Sequence, residues 1–434
     1  MQIDCSLLSR VVLAGALVAL VACDQDTTGP RGELSAPSFR RQQATGAGRH
    51  LLLARGSLSG DFRERVEALG GTIERRHDEI GVVKLSGLTE DAAQNLIARS
   101  DVEGVFPDVS LQMAPDVLST PLTGASESDP TQAKFYDLQW HLPTIDADDA
   151  WESSNRGAGA LVCILDSGAD TDHPDLDGRV DLDKSTSFVT GEDLEDFLNH
   201  GTLVAAIVSS NGIKVASVAP EATLCIVKVM DVLGGVDFSN LIAGILHAAN
   251  VGADIINMSL GGHVTSKGSE SGAIHALQLA INYANSKGTL LVAAAGNNGL
   301  NLDRDRNDMR HIPSQLPHVL SVGATTRENE LWINSNYGRT GLDLVAPGEY
   351  VVSACDFMHS SSGACYGHGT SFATPQAAGA AAVVFSELGH NTEGSQLGHC
   401  VTVGATRLSS NGRDPYFGKG LVNVLGAAAC RRPN

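Results

Sequence analysis

Basic residues are scarce. Lys and Arg number 30 in 434 residues against 50 Asp and Glu, a formal net charge of −20. Nothing basic is clustered to meet phosphate, which excludes nucleic acid as a principal partner. The apolar run Val11–Ala22 would span only about 18 Å as a helix, too short for a bilayer core. Metal-ligand spacings of the C-x-x-C or H-E-x-x-H kind are absent. Gly418-Lys419 stands at the wrong distance from Gly412 for a phosphate loop, and no Ser or Thr follows the Lys. A nucleotide site has no support.

What remains is a globular composition, 42% hydrophobic and 18% charged, with 47 Gly for tight turns and close helix packing. The length suggests two or three domains. Residues 23–113 carry 11 basic and 14 acidic groups, and residues 114–434 carry 18 and 35. That asymmetry fits two separately built modules.

Arg10 followed by the short apolar run reads as a secretory signal over 1–22. The run ends Leu20-Val21-Ala22-Cys23, which resembles the bacterial lipobox and implies a lipid-modified Cys23. Export permits disulfides. Cys355 with Cys365, and Cys400 with Cys430, are the favoured pairs. Cys163 and Cys225 each sit in an apolar run, where a buried thiol and a bridge both remain open.

Residues 23–49 read as a flexible tether, rich in Gly, Pro, Ser and Gln. From His50 to Met113 the pattern is βαββαβ, a small ferredoxin-like α+β module, with one helix opened by Thr89. Residues 114–135 are polar and read as a linker. Beyond it the strand-like runs ALVCILD, TLCIVKVM, IINMSLGG and TLLVAAAG alternate with helical stretches. Apolar strands alternating with helices predict a doubly wound α/β domain with a mostly parallel sheet over 136–434.

Parallel sheets place ligands at the carboxyl ends of their strands. Asp166 ends one run and Asn297 follows another, while His200 and Ser371 each open a helix. Acyl transfer needs this set: Ser as nucleophile, His as proton carrier, Asp to fix the imidazole, and an amide donor for the oxyanion. Each motif alone has a bland reading as a turn, a cap or a tightly packed helix. Their order at strand ends removes it.

ILDSGAD, NHGTLVAAIV, SLGG, AAAGNNG and GHGTSFATP resemble the subtilase family of serine endopeptidases, over roughly Trp140 to Leu425. The resemblance implies Asp166, His200 and Ser371 as the triad and Asn297 as oxyanion donor. It also implies a substrate cleft along Ser259-Leu260-Gly261-Gly262, taking peptide as an added strand. His311 falls where family members often have Gly, which would narrow the primary pocket. Residues 50–113 resemble the inhibitory propeptide of such enzymes, with the processing site expected in the linker. Protein or peptide substrates, the chain's own propeptide and a monomer follow. The precursor would be anchored through Cys23, and the mature enzyme would lie outside the cytoplasm.

Two positions depart from the pattern. Leu203 replaces a usual His and Phe372 a common Met, neither of them carrying chemistry. No cofactor is implied for the reaction. Asp175, in DTDHPDLDG, matches a calcium-ligand position of the family, so a structural calcium is an expectation there. Asp303–Asn307 opens like a calcium loop but lacks the turn Gly and the bidentate Glu. A solvated loop is the alternative for both clusters.

Overall fold

The computed structural model describes residues 48–113, 129–304, 308–356, 359–410 and 412–430, with the backbone of 117–118. The signal segment, Cys23 and all but the end of the tether lie outside the described residues. The N-terminal module runs β1 (His50–Ala54), α1 (Phe62–Ala68), β2 (Thr72–His77), β3 (Val82–Ser86), α2 (Glu90–Ile97) and β4 (Val102–Pro107). Its antiparallel sheet has the order β2-β3-β1-β4. Thr89 opens α2, its hydroxyl accepting the Ala92 N–H at 3.2 Å. Successive strand residues face opposite sides. Leu52 meets Phe62, Val66 and Leu96 in the module's own core, while Leu51 and Leu53 join the core of the domain that follows.

Two short strands come next, β5 (Ser110–Gln112) and β6 (Val117–Leu118). The large domain then contains α3 (His141–Thr144), α4 (Ala147–Ser153), β7 (Leu161–Asp166), β8 (Thr186–Ser187), α5 (His200–Val208), β9 (Thr223–Lys228), β10 (Gly235–Asp237) and α6 (Phe238–Asn250). It continues with β11 (Ile255–Met258), β12 (Gly262–Thr265), α7 (Ser271–Ser286), β13 (Leu290–Ala294), β14 (Met309–Ile312), β15 (Val319–Thr325) and β16 (Leu344–Pro347). It closes with β17 (Val351–Ala354), β18 (Ala364–Gly367), α8 (Thr370–Leu388), α9 (Gly394–Gly404) and α10 (Val424–Ala428).

Seven strands form a parallel sheet ordered β16-β15-β13-β11-β7-β9-β8. Both faces are covered, which is why β7 can be apolar throughout. Val162 and Ile164 pack with α5 and α8 on one face; Leu161, Cys163 and Leu165 pack with α6 and α7 on the other. The expected doubly wound α/β fold with a small α+β module before it is what the chain forms. Strands β8, β15 and β16 complete a sheet of which the sequence reading named four strands.

All three cysteine pairs are bonded: Cys355–Cys365, Cys400–Cys430, and Cys163–Cys225, the pair left open from sequence. Cys163 and Cys225 stand directly opposite each other on neighbouring strands β7 and β9. That adjacency depends on sheet order, which composition does not carry.

The linker is shorter than its polarity suggests. From Asp129 onward the chain belongs to the large domain. Phe135 is buried, and its N–H donates to the Lys214 carbonyl at 2.8 Å. One aromatic anchor outweighs the polar residues around it. Earlier in the stretch, β6 pairs with β18, while residues 114–116 and 119–128 lie outside the described residues.

Candidate active site

The sheet reverses its order of growth at β7: β9 lies on one side, and β11, β13, β15 and β16 follow on the other. A crevice opens at such a reversal, at the carboxyl ends of the strands. Asp166 ends β7 there, fully buried. Its Oδ1 accepts from His200 Nδ1 at 2.7 Å and from the Ser167 N–H at 2.8 Å. With Nδ1 donating, the neutral imidazole carries its basic lone pair on Nε2. His200 opens α5 close against the strand end. A Cβ on Gly201 would lie 2.1 Å from the Gly168 carbonyl oxygen, so only glycine permits this approach.

Sequence reasoning passed over the residues that hold His200 in place. Asp196 is buried, and its Oδ2 accepts from both the backbone N–H and the hydroxyl of Thr202 at 2.7 Å each. Its Oδ1 accepts the Ser167 hydroxyl at 2.7 Å. Burial raises its pKa above the usual carboxylate value, and the bonds to Thr202 and Ser167 offset part of that. An acidic residue just ahead of an apolar helix was the available signal. Asn199 takes a left-handed conformation, φ 61°, before the helix. Its amide accepts the Asp356 N–H at 2.7 Å and donates to Cys355 Sγ at 2.9 Å, tying the helix start to the disulfide.

Ser371 sits in the first turn of α8, whose first sixteen residues are buried. Pro375 has no N–H to return to the Ser371 carbonyl four residues back. The Ser259 hydroxyl takes that carbonyl instead, at 2.8 Å. Asn297 Oδ1 accepts from the Thr370 N–H at 2.9 Å and its hydroxyl at 2.8 Å. The same hydroxyl accepts the Gly296 N–H at 3.1 Å. Holding Oδ1 fixes which way the amide faces, and its Nδ2 stands close to Gly369 at the head of α8. Phe372 places its ring edge-on to His200, centroids 5.6 Å apart.

The remaining expected cleft residues gather here too. Leu260, Gly261 and Gly262 follow Ser259, and β12 pairs antiparallel with β14, bringing His263 opposite His311. Leu111 of β5 lies against Gly262, where an added Cβ would stand 3.1 Å from its Cδ2. β5 itself pairs antiparallel with β10, and the Met113 N–H donates to the Gly234 carbonyl at 2.9 Å.

Asp175 does not fit its expected calcium role. It is fully buried, and its two oxygens accept the successive backbone N–H groups of Ile213, Lys214 and Val215 at 2.6–3.1 Å. The turn after α5 folds back onto the carboxylate, so peptide dipoles supply the positive field. Asp303 is similar, accepting from the backbone of Arg339, Thr340 and Gly341 and from the Thr340 hydroxyl. Burial acts to raise its pKa, but these donors more than offset that and lower it. Among the described residues no group of three or more His, Cys, Asp or Glu could hold a metal ion. Asp175→Ala is expected to cost about 3 kcal/mol in urea unfolding, because it strands three backbone donors, that of buried Val215 and those of half-buried Ile213 and Lys214. Asp175→Asn, which keeps an acceptor, should cost less. Equal losses, or a wild type stabilised by added calcium where neither variant is, would return this position to a cation.

A hydroxyl at a buried helix start, an imidazole bonded to a carboxylate and an oriented amide are the parts from which a serine hydrolase site is built. Residues 157–420 match the model of the subtilase family, and the chain belongs to that family. It is 34% identical over 304 residues to a thermophilic serine proteinase from Bacillus sp. (strain AK1), covering 69% of each chain. To thermitase from Thermoactinomyces vulgaris it is 32% identical, over 69% of this chain and 98% of that one. The fold also resembles the epidermin leader peptide processing serine protease from Staphylococcus aureus, with a TM-score of 0.74 and 20% identity, covering 89% of this chain and 99% of that one. The protein is therefore a serine endopeptidase acting on protein or peptide substrates, and its chemistry requires no cofactor.

Proposed function

We propose that this endopeptidase works through Asp166, His200 and Ser371 and is made as an exported, self-inhibited precursor. In this reading Ser371 Oγ attacks the substrate carbonyl while His200 Nε2 takes its proton. Asp166 stabilises the imidazolium that forms. The oxyanion is met by the Asn297 amide and by backbone N–H at the start of α8. His200 then protonates the leaving amine, and water activated by His200 hydrolyses the acyl-enzyme. The observation that carries the assignment is the 2.7 Å contact of His200 Nδ1 with the buried Asp166, beside the helix start bearing Ser371.

Self-inhibition is supported by where β5 lies. It pairs antiparallel with β10 and sets Leu111 against Gly262 of the expected cleft segment. Asp108, just before it, accepts the Ser239 N–H at the head of α6 at 3.0 Å. Burial first, and then nearby Asp237, push the Asp108 pKa up to about 6. Arg49, at the end of the tether, pairs with Asp237 of β10. Residues 50–113 thus act as the inhibitory domain, and the maturation cut falls in 114–135. The signal at 1–22 and the lipid on Cys23 would make the precursor membrane-anchored until that cut releases the catalytic domain. No helix among the described residues is long and apolar enough to cross a membrane.

Cell fractionation with mass measurement tests the precursor. Wild type is expected as a soluble form whose N-terminus lies in 114–135. Mature enzyme that stays in the membrane pellet with Cys23 at its N-terminus would overturn the release model.

A further inference from the structure

The side chain of the substrate residue under attack must enter beside Ser371. Two backbone segments border the nucleophile: the one starting at Ser259, whose hydroxyl holds the Ser371 carbonyl, and the one ending in Asn297, which is tied to Thr370. Their glycines face a single imidazole. An ideal Cβ on Gly261 would lie 2.6 Å from His311 Cε1, and one on Gly296 would lie 2.4 Å from His311 Nε2. The ring therefore fills the gap between the two segments. It is 1% exposed.

The ring is held there from several sides. His311 Nδ1 and the buried Ser314 hydroxyl are 2.9 Å apart. The His311 N–H donates to Gln315 Oε1 at 2.7 Å. His263 stacks edge-on at 5.0 Å between centroids. Burial, and then His263, lower the His311 pKa well below its usual value, so the ring is neutral. His311 Nε2 has no hydrogen-bond partner among the described residues although it is buried. A long aliphatic or aromatic side chain would have to displace the ring from this gap, at the cost of the contacts that hold it.

We infer that His311 closes the primary specificity pocket into a short slot, so that the enzyme cleaves after small residues (Gly, Ala, Ser) and rejects aromatic and long aliphatic ones. This rests on the serine endopeptidase reading and deepens it. The shape penalty is the kind a pocket imposes by excluding methylenes, tens- to hundreds-fold in kcat/KM.

The test is a series of peptide anilides identical except at the residue before the scissile bond, with active sites counted by fluorophosphonate titration. Wild type is expected to favour Ala over Phe by at least about 10-fold in kcat/KM. His311→Gly should shift that ratio toward Phe by roughly 100-fold, and His311→Ala by less. A wild type that prefers Phe would overturn the inference whatever the variants do. So would an unshifted ratio in a His311 variant that titrates as fully as wild type. Failure to titrate wild type at all would sink the underlying serine reading instead, which keeps the two claims separable.

Discussion

Replacing Ser371 by Ala is expected to lower turnover by on the order of 10⁶-fold, the scale seen when the nucleophile of a subtilisin is removed. The precursor should then persist uncut. Stability should stay within about 0.5 kcal/mol of wild type, because the change removes one small hydroxyl. The contacts that fix this helix start survive it. Ser259 bonds the Ser371 backbone carbonyl, and Asn297 bonds Thr370. Parallel assays of peptide hydrolysis and thermal unfolding check both halves. Wild-type-like turnover in the variant would remove Ser371 from the mechanism. A processed Ser371→Ala chain in a protease-free system would mean that maturation is not its own work.

Asn297→Ala is expected to cost about 100- to 1000-fold in kcat with little change in KM, since the donor acts chiefly on the charged intermediate. A complication is visible in the structure, because Asn297 also accepts from the Thr370 N–H and hydroxyl. Alanine would strand those donors, so part of the loss could come from a displaced helix start. Asn297→Asp separates the two effects. It keeps an acceptor for Thr370 but replaces the amide donor with a negative oxygen, and its kcat should fall at least as far as that of the alanine variant. An aspartate variant with near-normal kcat would show that Asn297 acts only by positioning Thr370.

Much of this was legible in the sequence because the chemistry needs particular residue types at strand and helix ends. Asp166 follows an apolar run, and His200 and Ser371 are each followed by the small residues that let a helix press against a sheet. The arrangement of distant segments was not legible, and four outcomes turned on it. The Cys163–Cys225 bond depends on β7 and β9 being neighbours. The support around His200 comes from Asn199 and Asp196 together with Cys355, 156 residues from Asn199 in the chain. Asp175 looked like a cation ligand because an acidic motif reads the same whether a metal or peptide N–H groups complete it. Only the fold of the turn after α5 distinguishes the two. His311 was placed near the pocket by the family resemblance, and its insertion between two glycines depends on how two distant segments fold together.

The central claim, peptide hydrolysis through Ser371, is most directly tested by covalent labelling of the matured wild type with a fluorophosphonate, followed by peptide mapping. The account predicts one adduct, on the peptide bearing Ser371, formed in step with the loss of peptidase activity. Persistent activity after Ser371 is fully modified, or inactivation with the adduct on another residue, would contradict it.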